Sequence, residues 1–99
     1  MTESTDRRPL ALVTGASAGI GEACAKRFAA EGYDLALWAR RIERLGELAS
    51  QLALRHGTAV HTAPVDVRDR DAVGEAADEL AEGPGVPDVL VNNAGLAAG

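Results

Sequence analysis

The stretch Thr14-Gly15-Ala16-Ser17-Ala18-Gly19-Ile20-Gly21 has the residue types and spacing of an anion-binding turn. It follows an apolar run and leads into a helical pattern, so it predicts a strand, a glycine-rich turn and a helix start. The N–H groups of a first helical turn lack partners within the helix, and the helix dipole adds about half a positive charge there. Glycine lets the backbone turn tightly and admits a phosphate without a Cβ in the way. We therefore expect the pyrophosphate of a dinucleotide at this turn, contacted by Gly15, Ser17, Ala18, Gly19, Ile20 and Gly21.

The glycine spacing points to one protein family. The glycines fall at Gly15, Gly19 and Gly21, which is G-x-x-x-G-x-G and not the commoner G-x-G-x-x-G. A Walker-type loop is excluded, because Glu22 follows Gly21 where a Lys-Ser or Lys-Thr pair is required. The T-G-x-x-x-G-x-G motif after a first strand resembles the short-chain dehydrogenase/reductase family, and the resemblance extends over residues Leu10–Gly99. A glycine-rich turn that binds no ligand is the alternative.

Two arginines, Arg40 and Arg41, directly follow the second apolar run, which ends in Trp38-Ala39. In NAD-dependent members of the family an acidic residue closes this strand and holds the ribose hydroxyls, whereas this chain has the small Ala39. A carboxylate would repel a 2′-phosphate, while a guanidinium binds one through two parallel charge-assisted hydrogen bonds. The resemblance therefore implies NADP(H), with Arg40 as the main contact and Arg41 in support. The alternative is a solvated helix start, although arginines are electrostatically unfavourable there unless an anion is bound.

Two further motifs match the family in order and spacing. Asp66-Val67 follows the third apolar run, where the resemblance implies a carboxylate that accepts from the adenine amino group and a backbone that meets the ring. Asn92-Asn93-Ala94-Gly95 resembles the family's N-N-A-G signature, in which asparagine amides join neighbouring strands and Ala-Gly leaves bare backbone for the cofactor. Taken alone, these would be a turn or helix-cap aspartate and an ordinary turn. The contacts that they imply are Asp66, Val67, Asn93, Ala94 and Gly95.

The elements that must position these residues alternate regularly along the chain. Strands are predicted at Leu10–Thr14, Asp34–Ala39 and Thr58–Pro64, and from Val86 or Asp88 to Val91; helices are predicted at Gly19–Glu31, Ile42 to about Arg55, and Asp69–Glu82. This alternation predicts an α/β fold, the first half of a Rossmann-type doubly wound parallel sheet with strand order 3-2-1-4. The third strand is the most polar, as an edge strand can be. Residues 1–9 are expected to be a flexible leader, and residues 10–99 a cofactor-binding half domain truncated from a longer one.

Apolar spacing predicts which helix faces are buried. The predicted inward residues are Ile20, Cys24 and Phe28 in the first helix, Ile42, Leu45, Leu48, Ala49 and Leu52 in the second, and Val73, Ala76, Ala77 and Leu80 in the third. Trp38 is expected to pack against a helix or to lie near the adenine. The charged run that begins at Arg68 is interpreted as a solvated helix start.

Composition excludes several classes of function. The 99 residues are 46% hydrophobic and 25% charged, as in a soluble globular protein, and the net charge of -5 argues against binding nucleic acid or an anionic membrane. No apolar run approaches the roughly 18 residues of a membrane helix. The single cysteine, Cys24, cannot form an internal disulfide, so a cytoplasmic location is expected. His56 and His61 have no further ligand at metal-binding spacing, so no metal site is expected.

The family resemblance also implies catalysis by a Tyr-x-x-x-Lys pair and an upstream serine. The single tyrosine, Tyr33, has Leu37 four residues later, and the single lysine, Lys26, precedes it, so no catalytic residue is assigned. The resemblance implies an oxidoreductase that transfers hydride between nicotinamide and a carbonyl or secondary alcohol, of which this chain is the cofactor-binding part. A weaker likeness favours the branch acting on 3-hydroxy acids such as serine, and a full-length parent is expected to be a homo-oligomer. A non-catalytic NADP-binding module or inactive remnant is the alternative.

Overall fold

The computed structural model describes residues 8–17 and 19–93. Within them the elements are β1 (Leu10–Thr14), α1 (Gly19–Ala30), β2 (Asp34–Ala39), α2 (Ile42–His56), β3 (Val60–Pro64), α3 (Arg70–Glu82) and β4 (Val89–Asn92). The four strands form one parallel sheet in the order β3-β2-β1-β4. The α/β fold, the strand order and the edge position of the third strand are therefore confirmed.

Several predicted residues and segments lie outside this description: residues 1–7 of the leader, Ala18 of the glycine turn, and residues 94–99 with Ala94 and Gly95. In the part of the chain that is described, no helix has the length and apolar character needed to cross a membrane. That same part brings together no group of three His, Cys, Asp or Glu side chains that could hold a metal ion.

The strand register brings the carboxyl ends of all four strands to one edge of the sheet. Thr14 ends β1 opposite Trp38 of β2 on one side and Asn92 of β4 on the other. Ala39 ends β2 opposite Pro64 of β3. The winding of the sheet reverses between β1 and β4, and doubly wound sheets bind their ligands outside the carboxyl ends of the strands at such a point. The motifs that follow the four strands therefore share one edge.

Each face of the sheet packs against helices. On one face α1 and α2 cover β1 and β2, with Val13, Leu35, Leu37 and Leu45 fully buried between them. On the other face Leu80 of α3 belongs to a buried cluster with Leu10, Leu12, Ala36, Trp38 and Val65. Trp38 is thus 4% exposed and shares a core with a helix, which was one of its two predicted positions.

The predicted buried face of α1 is wrong for Ile20, which is 66% exposed. The residues of α1 that are buried are Gly21, Ala25 and Ala29, while Cys24 and Phe28 pack at the margin of the core. Small residues on this face let the helix lie close to the sheet, so the contact line runs along them and not along the larger side chains. Ala77 of α3 is also exposed instead of inward, because it lies about 100° around the helix from the half-buried Ala76.

Side-chain hydrogen bonds explain two shifted boundaries. β3 begins at Val60 and not at Thr58, because the carboxylate of Asp34 accepts the Ala59 N–H at 3.0 Å and lies 3.0 Å from the Thr58 hydroxyl. The Asp34 carboxylate thus takes the Ala59 N–H, while the Ala59 carbonyl still accepts the N–H of Leu35 at 2.9 Å. α3 begins at Arg70, because Asp69 is its N-cap and accepts the N–H of Ala72 at 3.1 Å.

Gly21 sets how closely α1 approaches the end of β1. A Cβ added there would lie 2.2 Å from the carbonyl oxygen of Gly15 and 2.8 Å from the amide nitrogen of Asn93. Neither neighbour can move freely, since one is backbone and the other donates a hydrogen bond to that same backbone. Any side chain at Gly21 must therefore push the helix away from the turn.

We predict that Gly21→Ala lowers the free energy of unfolding by about 1–3 kcal/mol, the usual cost of overpacking. Gly46→Ala is the matched control, because Gly46 lies in α2 with nothing within 4 Å of an added Cβ. That control should gain up to about 1 kcal/mol from helix propensity. Urea unfolding of both variants checks this, and equal stability of Gly21→Ala and the original chain would contradict the packing argument.

Candidate functional site

The glycine turn connects β1 to α1 through two residues with left-handed backbone. Gly15 has φ 63° and Gly19 has φ 61°, values that glycine adopts without steric cost. Between them the N–H of Ala16 donates to the carbonyl of Trp38 at 3.3 Å, which fixes the turn to the end of β2. A Cβ at Gly19 would meet nothing within 4 Å, so open space lies in front of the helix start.

The first turn of α1 is accessible to a ligand. Gly19 and Ile20 are exposed, and Ser17 is partly exposed beside them. The only acidic residue of this helical turn is Glu22, and Lys26 binds its carboxylate at 3.1 Å one turn further along. This ion pair offsets the repulsion that Glu22 would exert on an anion at the helix N-terminus.

The end of β2 presents two arginines whose charges are not satisfied by the described part of the protein. Arg40 and Arg41 are both exposed. Arg41 is the N-cap of α2, but its side chain makes no capping hydrogen bond. Over residues 8–17 and 19–93, neither guanidinium forms a hydrogen bond or an ion pair. Two cations at a helix N-terminus oppose the helix dipole, so this place favours a bound anion.

The segment after β3 turns sharply and presents Asp66 beside the end of β2. The Val65 N–H donates to the carbonyl of Ala39 at 3.0 Å, and the Asp69 N–H closes a turn onto the carbonyl of Asp66 at 2.9 Å. Among the described groups, the N–H of Val67 in the middle of this turn has no hydrogen-bond partner. A free N–H next to a carboxylate is an arrangement that can receive the edge of a purine base.

Arg68, which sequence reasoning treated as part of a solvated helix start, contacts Asp66 directly. Its backbone N–H and its Nε donate to Oδ1 of Asp66 at 3.0 and 3.1 Å, and its Nη2 donates to Oδ2 at 2.9 Å. Arg68 is 70% exposed, in line with a solvated helix start, and it also pairs with Asp66, which the sequence analysis did not anticipate. The sequence does contain a signal for this pair, because an arginine follows an aspartate by two positions. That spacing predicts an ion pair only if a turn brings the two side chains together.

The Arg68 guanidinium is the main cause of a low pKa at Asp66. Its side-chain hydrogen bonds, then its backbone hydrogen bond, are the largest of the effects that together lower the pKa of the Asp66 carboxyl from 3.8 to about 2; the charge of Arg40 is a smaller contribution in the same direction. Asp66 is therefore ionised at neutral pH and presents an acceptor.

The fourth strand joins the turn through asparagine side chains. The amide Nδ2 of Asn93 donates to the carbonyl of Gly15 at 3.2 Å. The Thr14 hydroxyl lies 3.3 Å from the carbonyl of Val91 and 3.2 Å from Oδ1 of Asn92. The asparagines thus connect β4 to the end of β1 and to the turn.

The predicted residues that the structure describes all follow the carboxyl ends of the four parallel strands. They are Gly15, Ser17, Gly19, Ile20, Gly21, Arg40, Arg41, Asp66, Val67 and Asn93. A cleft of about 670 Å³ lies elsewhere, lined by residues of α1 and α2 that include Lys26, Leu54 and His56. It contains none of the predicted contacts, so the site is identified by backbone donors and unpaired charges and not by an enclosed cavity.

We predict that the Asp66 carboxyl titrates with a pKa of about 2, because Arg68 stabilises its ionised form. A depressed pKa contributes stability that is present above pH 3.8 and is lost as the pH falls towards about 2. Titration of side-chain carboxyl carbons by NMR measures the midpoint, and Arg68→Met should move it up towards 3.8. A midpoint of 3.8 in the original chain would contradict the observed pairing.

Comparison with known proteins agrees with this geometry. The family model described as short chain dehydrogenase matches residues 9–99. Sulfoacetaldehyde reductase 2 of Chromohalobacter salexigens is 52% identical over 88 residues, which are 89% of this chain and 34% of that protein. Serine 3-dehydrogenase of Agrobacterium fabrum is 46% identical over 88 residues, again 89% of this chain and 34% of the relative.

A solved structure shows the same fold. The alcohol dehydrogenase of the archaeon Thermococcus sibiricus, complexed with 5-hydroxy-NADP, superposes with a TM-score of 0.81 at 40% identity, over 84% of this chain and 35% of that one. The chain therefore spans about a third of the length of the proteins that it matches. Because the family model covers nearly all of it, this chain belongs to the short chain dehydrogenase family.

Proposed function

We propose that this chain binds NADP(H) and forms the cofactor-binding part of an oxidoreductase that interconverts a carbonyl and a secondary alcohol. The observation that carries the proposal is the pair Arg40 and Arg41, exposed and without partners in the described part of the chain, at the strand end next to the glycine turn. Ala39 provides no carboxylate at that strand end to repel a 2′-phosphate. The Thermococcus enzyme, which holds 5-hydroxy-NADP, supports the same cofactor.

The proposal assigns the predicted residues to successive parts of the dinucleotide. Gly15, Ser17, Ala18, Gly19, Ile20 and Gly21 would hold the pyrophosphate, with the first turn of α1 supplying N–H donors to its oxygens. Arg40 and Arg41 would bind the 2′-phosphate, and Asp66 with Val67 would receive the adenine. Asn93, Ala94 and Gly95 would border the cofactor at the end of β4. When bound, the nicotinamide supplies or accepts the hydride, while the protein supplies orientation and the exclusion of water.

A second candidate function is a binding module without catalysis. Lys26 pairs with Glu22 within α1, and the ring of Tyr33 packs edge-on against Phe28 of α1 with centroids 4.9 Å apart, so both side chains have structural partners. This candidate predicts binding of NADP(H) by the chain with no turnover of any carbonyl compound.

The substrate class belongs to the same proposal. The relatives named for sulfoacetaldehyde and serine act on small molecules that carry an acid group. We extend this to a short 3-hydroxy acid or its carbonyl counterpart as the substrate of the parent protein.

We predict that Arg40→Asp reverses the preference between NADPH and NADH. Each charge-assisted bond to the 2′-phosphate contributes about 1.5–3 kcal/mol, so the ratio of dissociation constants should change by about tenfold or more. Calorimetric titration of the chain with both cofactors measures it. Arg44→Asp is the matched charge reversal on an exposed residue of α2, and it should leave the ratio almost unchanged. Equal NADPH affinity in the Arg40→Asp chain would exclude a phosphate clamp.

We predict that Gly19→Val abolishes NADPH binding, because the new side chain fills the open space in front of α1. Gly57→Val is the control, since Gly57 has the same left-handed backbone at φ 67° and also has nothing within 4 Å of an added Cβ. Both variants should lose at least about 1–2 kcal/mol of stability through backbone strain. Only Gly19→Val should lose binding, and undiminished affinity there would mean that the pyrophosphate is placed wrongly.

A further inference from the structure

The carboxylate of Asp66 is almost fully used by one side chain. A carboxylate has about four lone-pair positions, two on each oxygen. Arg68 occupies both positions of Oδ1 with its backbone N–H and Nε, and one position of Oδ2 with Nη2. Within the described residues, no other donor forms a hydrogen bond with the Asp66 carboxylate. One acceptor position therefore remains, and it lies on Oδ2.

The Arg68 contact also fixes where that position points. The guanidinium fork binds both oxygens and the backbone N–H binds Oδ1, so rotation of the carboxylate would break at least one hydrogen bond. Asp66 keeps partial access to solvent, with 35% of its side chain exposed. The free position of Oδ2 is thus both oriented and reachable.

We propose that Arg68 is a positioning residue that makes the site select adenine, by holding Asp66 so that its one free acceptor position receives the exocyclic amino group. The inference rests on the proposed function, since it concerns the base of the same dinucleotide. Adenine has an amino donor at C6, whereas hypoxanthine has a carbonyl oxygen there. A fixed, ionised carboxylate accepts from the first and repels the second.

The test compares the affinity of the chain for NADPH with its affinity for the hypoxanthine counterpart of NADPH. Because hydrogen bonds to charged groups contribute about 1.5–3 kcal/mol, the original chain should prefer adenine by about tenfold or more. Arg68→Met removes the guanidinium and keeps the backbone donor, and it should reduce this preference by about fivefold or more. Arg68→Lys should restore part of the preference. Asp66→Asn, whose amide can donate to the hypoxanthine oxygen, should bring the ratio close to one.

Arg70→Met is the matched control, because Arg70 is exposed at the start of the same helix. It removes the same charge without touching Asp66 and should leave the ratio unchanged. Arg68 could also stack on the base, but stacking would not discriminate between two purines of the same shape. The ratio of the two affinities therefore reports on the contact with Asp66. Circular dichroism confirms that each variant is folded.

Two results would overturn the inference while leaving the proposed function standing. In the first, Asp66→Asn changes the ratio of the two affinities but Arg68→Met does not. In the second, Arg70→Met changes that ratio as much as Arg68→Met does. Failure of the original, folded chain to bind either dinucleotide overturns the proposed function and the inference with it. A ratio that falls in Arg68→Met, recovers in part in Arg68→Lys and stays constant in Arg70→Met supports the inference.

Discussion

One backbone oxygen holds the candidate site together. The carbonyl of Gly15 lies so close to Gly21 that a methyl group would not fit between them, and the same oxygen accepts the amide of Asn93. The end of β1, the first turn of α1 and the end of β4 therefore meet at a single atom. The open donors of α1 depend on this contact, because the helix must lie close to the turn for its N-terminus to face the strand ends. The distance between helix and sheet is thus set by the absence of a side chain.

The charges of the site are local. The chain has a net charge of -5, yet Arg40, Arg41, Asp66 and Arg68 all follow strands at the carboxyl edge of the sheet. Charges are screened over about 8 Å at physiological ionic strength, so a ligand at this edge responds mainly to nearby groups. Asp66 neutralises Arg68 through direct hydrogen bonds, and Arg40 has no hydrogen-bond or ion-pair partner among the described residues. A negatively charged protein can in this way present a surface that favours a phosphate.

Much of this architecture could be predicted from the sequence, because period and spacing are local signals. Alternating apolar runs and helical patterns gave the strand order, and the glycine spacing gave the turn. The prediction that Ile20 lies on the buried face of α1 was wrong. Hydropathy identifies large apolar side chains, whereas Gly21 is buried on that face because it has no side chain. Arg68 was missed for a related reason, because its role depends on a turn that reverses the chain within three residues. The bond between Asn93 and Gly15 joins residues 78 positions apart, and no local pattern encodes its geometry.

The separation of 78 positions between Gly15 and Asn93 also affects when the turn is completed during synthesis. Ribosomes add about 5–20 residues per second, so Asn93 follows Gly15 by roughly 4–16 s. A nascent chain that has passed Pro64 already contains three strands of the sheet and the two helices of one face, but its glycine turn still lacks the asparagine donor. The donor that completes the glycine turn is therefore synthesised after the four strands that the structure describes.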